Sequence, residues 1–136
     1  MLSKKTKYGI KALVYLAKQE DRIPVQISVI SNTENISLKF LESILLTLRK
    51  NGILGSKNRI TVVIGISLDP KDIPMTTVMR FLEGPIAMVP CVSLNFYEKC
   101  DDCPDENTCA VHNVMLKVRD KTLEILRNTT LADISN

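Results

Sequence analysis

Cysteine is missing from the first 90 residues of this 136-residue chain and from its last 27, and the chain has a single histidine. That scarcity excludes most hydrolytic and transfer chemistry, because the lone His112 lies among the thiols and no serine, aspartate or second histidine is spaced to work with it. Glycine is also scarce, at five residues, and none of it forms a phosphate-cradling loop. No apolar run approaches the roughly 18 residues that a membrane helix needs. The opening Met1-Leu-Ser-Lys-Lys-Thr-Lys7 lacks the apolar segment and cleavage site of a secretory leader. A cytoplasmic protein with no membrane partner and no small-molecule substrate is expected.

What is present is concentrated. All four cysteines and the histidine fall between Cys91 and His112, in Cys91-Val-Ser-Leu-Asn-Phe-Tyr-Glu-Lys-Cys100-Asp-Asp-Cys103-Pro-Asp-Glu-Asn-Thr-Cys109-Ala-Val-His112. Interspersed Lys, Asp, Glu, Asn and Pro mark an exposed loop. In a reducing compartment clustered thiols point to metal or redox chemistry rather than to structural disulfides. Thiolates are soft ligands, and four of them suit an iron–sulfur cluster or tetrahedral zinc. Cys100-x2-Cys103 is a zinc half-site, but Cys91 and Cys109 do not form the matching pair. A Cys109/His112 nucleophile pair lacks a third group and a pocket. Spacing alone leaves cluster and zinc open.

Charge is distributed unevenly. Residues 1–59 carry eleven Lys/Arg against four Asp/Glu, and residues 60–136 seven against eleven, for a net +3. The basic half is where a polyanion partner is expected. It begins with a helix predicted from Lys4 to about Gln19, with Lys4, Lys5, Lys7 and Lys11 in its first turns and Ala12, Leu13, Leu16 and Ala17 on its apolar stripe. Early lysines oppose the helix dipole, and a phosphate backbone would favour them. After a Glu20–Pro24 turn, Val25–Glu34 is expected to be a short helix with Ile27, Val29 and Ile30 facing inward.

Asn35-Ile36 makes a tight turn, and Ser37 is a candidate N-cap for a helix carrying Phe40, Leu41, Ile44, Leu45 and Leu48 at helical spacing up to Asn51-Gly52. Its expected exposed face is Leu38, Lys39, Glu42, Ser43, Thr47 and Lys50. A short helix, a tight turn and an amphipathic helix make a helix-turn-helix, whose second helix enters the major groove N-terminus first. The β-branched run around Ile60–Ile66 after a Ser56–Arg59 turn predicts a hairpin, a wing in that context. Candidate DNA-facing residues are Lys4, Lys5, Tyr8, Ser37, Lys39, Phe40, Glu42, Ser43, Lys57 and Arg59. Further helices are predicted at Met75–Glu83 and Ala110–Arg127. The second carries Val111, Val114, Met115, Val118, Thr122 and Ile125 as one stripe, with Leu116 and Leu123 off it, so a partner subunit is expected to cover a face.

In that order, these features resemble the Rrf-two-type bacterial transcription regulators, which include the iron–sulfur regulators IscR and NsrR. The resemblance spans essentially the whole chain. It rests on the blocks Leu2–Ala17, Ile36–Leu54 and Leu68–Pro85, on the Thr130–Ile134 tail, and on Cys103-x5-Cys109-x2-His112. It implies a mainly α fold with a small β-hairpin, a winged helix-turn-helix with a long C-terminal dimerisation helix. It also implies an iron–sulfur cluster, 2Fe-2S or 4Fe-4S, held by Cys91, Cys103 and Cys109, with Cys100, His112 or a partner-subunit residue as fourth ligand. The family's glycine-rich wing is replaced here by Ser56-Lys-Asn-Arg-Ile-Thr-Val-Val-Ile64, which predicts a plainer hairpin and an altered wing contact.

The expected organisation is one compact domain with residues 1–84 binding DNA, 85–109 forming the cysteine-rich loop, and 110–136 the dimer helix and tail. The expected function is a homodimeric repressor-type regulator of double-stranded DNA sensing iron–sulfur, nitric oxide or redox status. A zinc- or disulfide-stabilised dimeric interaction protein with weakened DNA binding is the alternative.

Overall fold

The computed structural model describes residues 2–58 and 63–136. The first helix, α1 (Lys4–Ala17), starts where Ser3 accepts a hydrogen bond from the Thr6 amide. Thr6, Gly9, Ala12, Leu13 and Leu16 form its buried face, the three- and four-residue spacing that puts side chains on one stripe. A 3-10 turn, Glu20–Arg22, follows.

Val25 and Gln26 are not helical. They form a two-residue strand, β1 (Val25–Gln26), because their backbone pairs with a later strand, a partner distant in sequence that local pattern does not announce. The short helix is therefore α2 (Ile27–Glu34), in which Ile27 and Ile30 are buried and Val29 is exposed. In an eight-residue helix only one narrow stripe reaches the core, and Val29 lies off it.

Asn35 adopts φ +54°, the left-handed conformation that ends α2 and that asparagine tolerates better than most residues. The Ile36 amide bonds back to the Ser31 carbonyl at 3.0 Å, and the Ser31 hydroxyl donates to the Ile36 carbonyl at 2.6 Å. This closed turn leads into α3 (Leu38–Lys50), whose Leu41, Ile44, Leu45 and Leu48 are fully buried. Ser37 occupies the N-cap position, but its side chain makes no capping bond.

Two strands follow, β2 (Leu54–Asn58) and β3 (Val63–Ile66), antiparallel with Leu54 opposite Ile66. Ser56, Lys57 and Asn58 belong to a strand rather than to a turn, and the register shifts between Ser56 and Asn58. The sheet has the order β1-β3-β2, so the expected hairpin is a three-stranded sheet anchored to the entry of α2. Arg59, Ile60, Thr61 and Val62 lie outside the described residues.

α4 (Met75–Leu82) buries Met75, Thr76, Val78 and Leu82. It ends at Gly84, φ +93°, where a side chain would be strained. The segment from Pro85 to Cys109 contains 3-10 turns at Pro90–Val92 and Glu106–Thr108. α5 (Ala110–Arg127) is the long helix, and α6 (Leu131–Ile134) is a final short one, started by a capping box between Thr130 and Asp133. The tail turns back on the body through the Leu131 amide bonding the Ile73 carbonyl and the Met75 amide bonding the Thr129 carbonyl, both at 2.8 Å. Leu131 is completely buried.

One apolar core joins α1, α2, α3, α4, α6 and the sheet. α5 reaches the edge of this core through the half-buried Leu126, and its single buried residue is Leu123. Leu123, expected off the main stripe, is the residue that is buried, whereas Val111, Val114, Val118 and Ile125 are exposed, Ile125 by 65%.

Candidate functional site

The cysteine loop is organised by its own backbone. Cys109 is the N-cap of α5, and its Sγ accepts from the His112 amide at 3.4 Å. That places the His112 ring one turn into the helix, where its Nδ1 lies 3.3 Å from Cys91 Sγ. Cys91 sits in the Pro90–Val92 turn, which is fixed from the far side: Arg119, two turns further along α5, donates to the Val92 carbonyl at 2.9 Å. Val92 is buried beneath this contact, and Asp120 pairs with the same guanidinium at 2.7 Å.

Cys103 and Cys109 are neighbours. Partial burial, and next the Cys109 sulfur beside it, hold the Cys103 thiol above its ordinary pKa. Cys100 is oriented differently. It is exposed, and its Sγ donates to Asp102 Oδ1 at 2.6 Å. That bond raises the Cys100 pKa and lowers that of Asp102. Tyr97 donates to Glu106 across the base of the loop, which holds the phenol above its usual pKa.

All five predicted donors, Cys91, Cys100, Cys103, Cys109 and His112, line a single cleft of about 750 Å³. All four cysteines are free thiols. Among the described residues, no three His, Cys, Asp or Glu side chains converge tightly enough to hold a metal ion as they stand. The donors thus face a shared space rather than one point. Arg119 was not legible as part of this site, because its contact with Val92 spans 27 residues, and Glu106, although inside the loop, has no spacing that announces its bond to Tyr97.

The second candidate surface lies on α1 and α3. Lys4 is exposed and Lys5 half-buried at the start of α1, and Lys39, Glu42 and Ser43 are exposed on α3, with Ser37 just before it. Tyr8 packs edge-on against Phe40, with ring centroids 5.8 Å apart, so this pair ties α1 to the N-terminus of α3 while leaving Phe40 36% exposed. Lys57 lies in β2, and Arg59 is outside the described residues.

One residue missed in the sequence organises this surface. Glu83, at the end of α4, accepts from the Ser3 amide at 3.2 Å, the Ser3 hydroxyl at 2.7 Å and the Thr6 hydroxyl. The Thr6 bond, followed by those from Ser3, holds the Glu83 carboxyl below the usual carboxylate range despite partial burial. The first turn of α1 contains no acid of its own, so Glu83 supplies the negative charge that its amide end favours. The only sequence signal was the lack of an acid in a lysine-rich first turn.

Similarity to known proteins covers the same span. Residues 2–136 match the family Rrf2, iron-dependent transcriptional regulator. An Rrf2-like HTH-type transcriptional regulator of Rhodobacter capsulatus is 35% identical over 137 residues, covering 98% of this chain and 91% of the relative. The HTH-type transcriptional regulator IscR of Yersinia pseudotuberculosis is 25% identical over 135 residues, covering 99% and 79%. Among solved structures, CymR, the global cysteine regulator of Bacillus subtilis, superposes with a TM-score of 0.79 at 28% identity, covering 99% of this chain and 95% of that one. These relatives are regulators of transcription and not enzymes, and the helical body with its small sheet is the winged-helix fold they share. The chain belongs to the Rrf2 family of transcriptional regulators.

Proposed function

We propose that this regulator binds double-stranded DNA as a homodimer through α1 and α3, and senses iron–sulfur, nitric oxide or redox status through a cluster held in the cysteine cleft. The observation that carries the sensing half is the run of contacts from Cys103 to Cys109, from Cys109 to the His112 amide, and from His112 Nδ1 to Cys91. Three thiolates and an imidazole are a donor set that iron–sulfur clusters accept, and the donors border a space larger than one ion requires. The residues therefore fit the group. Cys91, Cys103, Cys109 and His112 would hold it, and it would supply a redox-active centre. Geometry favours His112 over Cys100 as the fourth ligand, since Cys100 is turned to Asp102 and solvent.

The protein's part is to couple that cleft to α5. Cys109 and His112 begin the helix, and Arg119 fastens the Cys91 turn to its middle. Any change in the spacing of Cys91 from Cys109 must therefore shift the helix or strain the turn. Toward the DNA, α4 ends in Glu83, which grips the first turn of α1, and Tyr8 passes the contact to Phe40 of α3. Placement of two recognition helices at a fixed half-site spacing is then linked to the state of the cleft.

A partner subunit is supported by surface area. The chain exposes 8631 Å², whereas a folded monomer of 15.2 kDa typically exposes about 7,100 Å². The excess includes the Val111, Val114, Val118 and Ile125 face of α5. Covering that face with a second copy removes an a/d-type apolar seam from water.

The test is anaerobic purification followed by iron, acid-labile sulfide and zinc analysis with a visible spectrum. Iron and sulfide together with thiolate-to-iron charge-transfer bands support the sensor. Stoichiometric zinc without those bands would sink it, leaving a zinc-stabilised dimer.

A further inference from the structure

We propose that Cys100 and Cys103 are an oxidisable pair, forming an intraloop disulfide when a peroxide reaches the exposed Cys100, and that this bond draws the Cys103 sulfur away from Cys109 and so removes it as a ligand. The inference deepens the proposed function and rests on it only where it treats Cys103 as a ligand.

Geometry brings the two residues together before any chemistry. The Cys103 amide bonds the Cys100 carbonyl at 3.3 Å, closing a four-residue turn through Asp101 and Asp102. The ends of such a turn lie within about 7 Å, which overlaps the roughly 4.4–6.8 Å between α-carbons that a disulfide requires. Their accessibility differs in the useful sense. Cys100 is exposed with its thiol turned to Asp102, whereas Cys103 is half-buried beside Cys109. An oxidant in solution therefore meets Cys100 first. Exposed disulfides of this kind are the ones cellular reductants reverse.

The chemistry balances with hydrogen peroxide as oxidant. As the Cys100 thiol passes its proton to the Asp102 carboxylate it faces, its sulfur attacks one peroxide oxygen, an S–O bond forms, the O–O bond breaks, and the hydroxide that leaves takes up the proton and becomes water. The deprotonated Cys103 sulfur then attacks the Cys100 sulfur, the S–S bond forms, the S–O bond breaks, and a second hydroxide leaves as water. Two thiols and one peroxide become one disulfide and two waters. Rotation of Cys103 toward Cys100 takes its sulfur away from Cys109.

Two arms on the full chain test this. In the first, reduced iron-free protein receives stoichiometric hydrogen peroxide, free thiols are alkylated, and trypsin releases the peptide Cys100–Lys117, which holds Cys100, Cys103 and Cys109. Fragment spectra are expected to show a Cys100–Cys103 link two hydrogens lighter, with Cys109 alkylated, and its loss in Cys100→Ser. A Cys103–Cys109 link, or Cys100 oxidised with no link, overturns the pairing. In the second arm, iron release into a chelator is followed in anaerobically loaded protein after peroxide addition. Cys100→Ser is expected to slow it, and equal rates overturn the withdrawal of Cys103. If the protein takes up no iron, the proposed sensor fails while the first arm still decides the pair. Circular dichroism of Cys100→Ser checks that the exposed substitution leaves the fold intact.

Discussion

Replacing Glu83 with Gln keeps the shape of the side chain and removes its charge, so it isolates what the carboxylate does for α1. In the wild type one carboxylate oxygen accepts three hydrogen bonds from Ser3 and Thr6. Thr6 is fully buried, whereas the Ser3 donors compete with water. A shielded bond to a charged acceptor contributes about 1.5–3 kcal/mol, and a charge at a helix N-terminus about 0.3–1 kcal/mol. The amide oxygen still accepts neutral bonds and solvent screens the rest, so the net loss should be about 1–2 kcal/mol. Equilibrium urea unfolding by circular dichroism measures it. The sign of the pH dependence is fixed: the folded-state pKa of Glu83 is depressed, so its contribution is complete above the unfolded carboxyl value, about 4.3, and is lost as pH falls through the lower folded value. Wild type and variant should therefore differ at neutral pH and converge in acid. Equal stability at pH 7, or a difference that persists undiminished into acid, would refute the role assigned to the carboxylate.

Gly9→Ala should destabilise although alanine favours helix, because the new β-carbon would lie 2.5 Å from Leu82 Cδ1 and 3.2 Å from Ile44 Cγ2. Overpacking of about 1–3 kcal/mol outweighs a propensity gain of about 1 kcal/mol, and a raised urea midpoint would contradict that packing. Ile125→Glu, on the exposed face of α5, should yield a folded monomer by light scattering, and an unchanged dimer mass would place the interface elsewhere. Lys39→Glu should weaken DNA binding and flatten its salt dependence through lost counterion release. Binding indifferent to that charge reversal would move the DNA face away from α3.

The elements that sequence made legible are those whose signal is local. The buried stripe of α3, the positive-φ turn at Asn35 and the span of α5 all follow from periodicity and turn chemistry within a few residues. The features that stayed hidden depend on distant partners. β1 is two residues long and exists because Val25 and Gln26 meet Ile64 and Val63. Thr130–Ile134 looked like a tail, yet Leu131 closes the core through a backbone bond to Ile73. For the cleft, cysteine spacing grouped the five donors but left Cys100 and His112 as equals. The proposal of His112 draws instead on side-chain direction, Cys100 toward Asp102 and His112 toward Cys91. Spacing cannot encode that. Nor could it reveal that Leu123 is buried and Leu126 packs on the core while the more regular valine stripe is exposed.

The central claim is that the state of the cysteine cleft is linked to DNA affinity. The direct measurement is the dissociation constant, at one fixed salt concentration, of a duplex selected from a random pool by the purified protein, taken with cluster-loaded protein, with stripped protein and with Cys103→Ser. Linkage of two sites typically amounts to about 1–3 kcal/mol, or roughly 5–150-fold in affinity. The account predicts a difference of that order between loaded and stripped protein, with Cys103→Ser binding as the stripped form does under both conditions. Equal affinities for all three, with the iron content of the loaded sample verified, would contradict it.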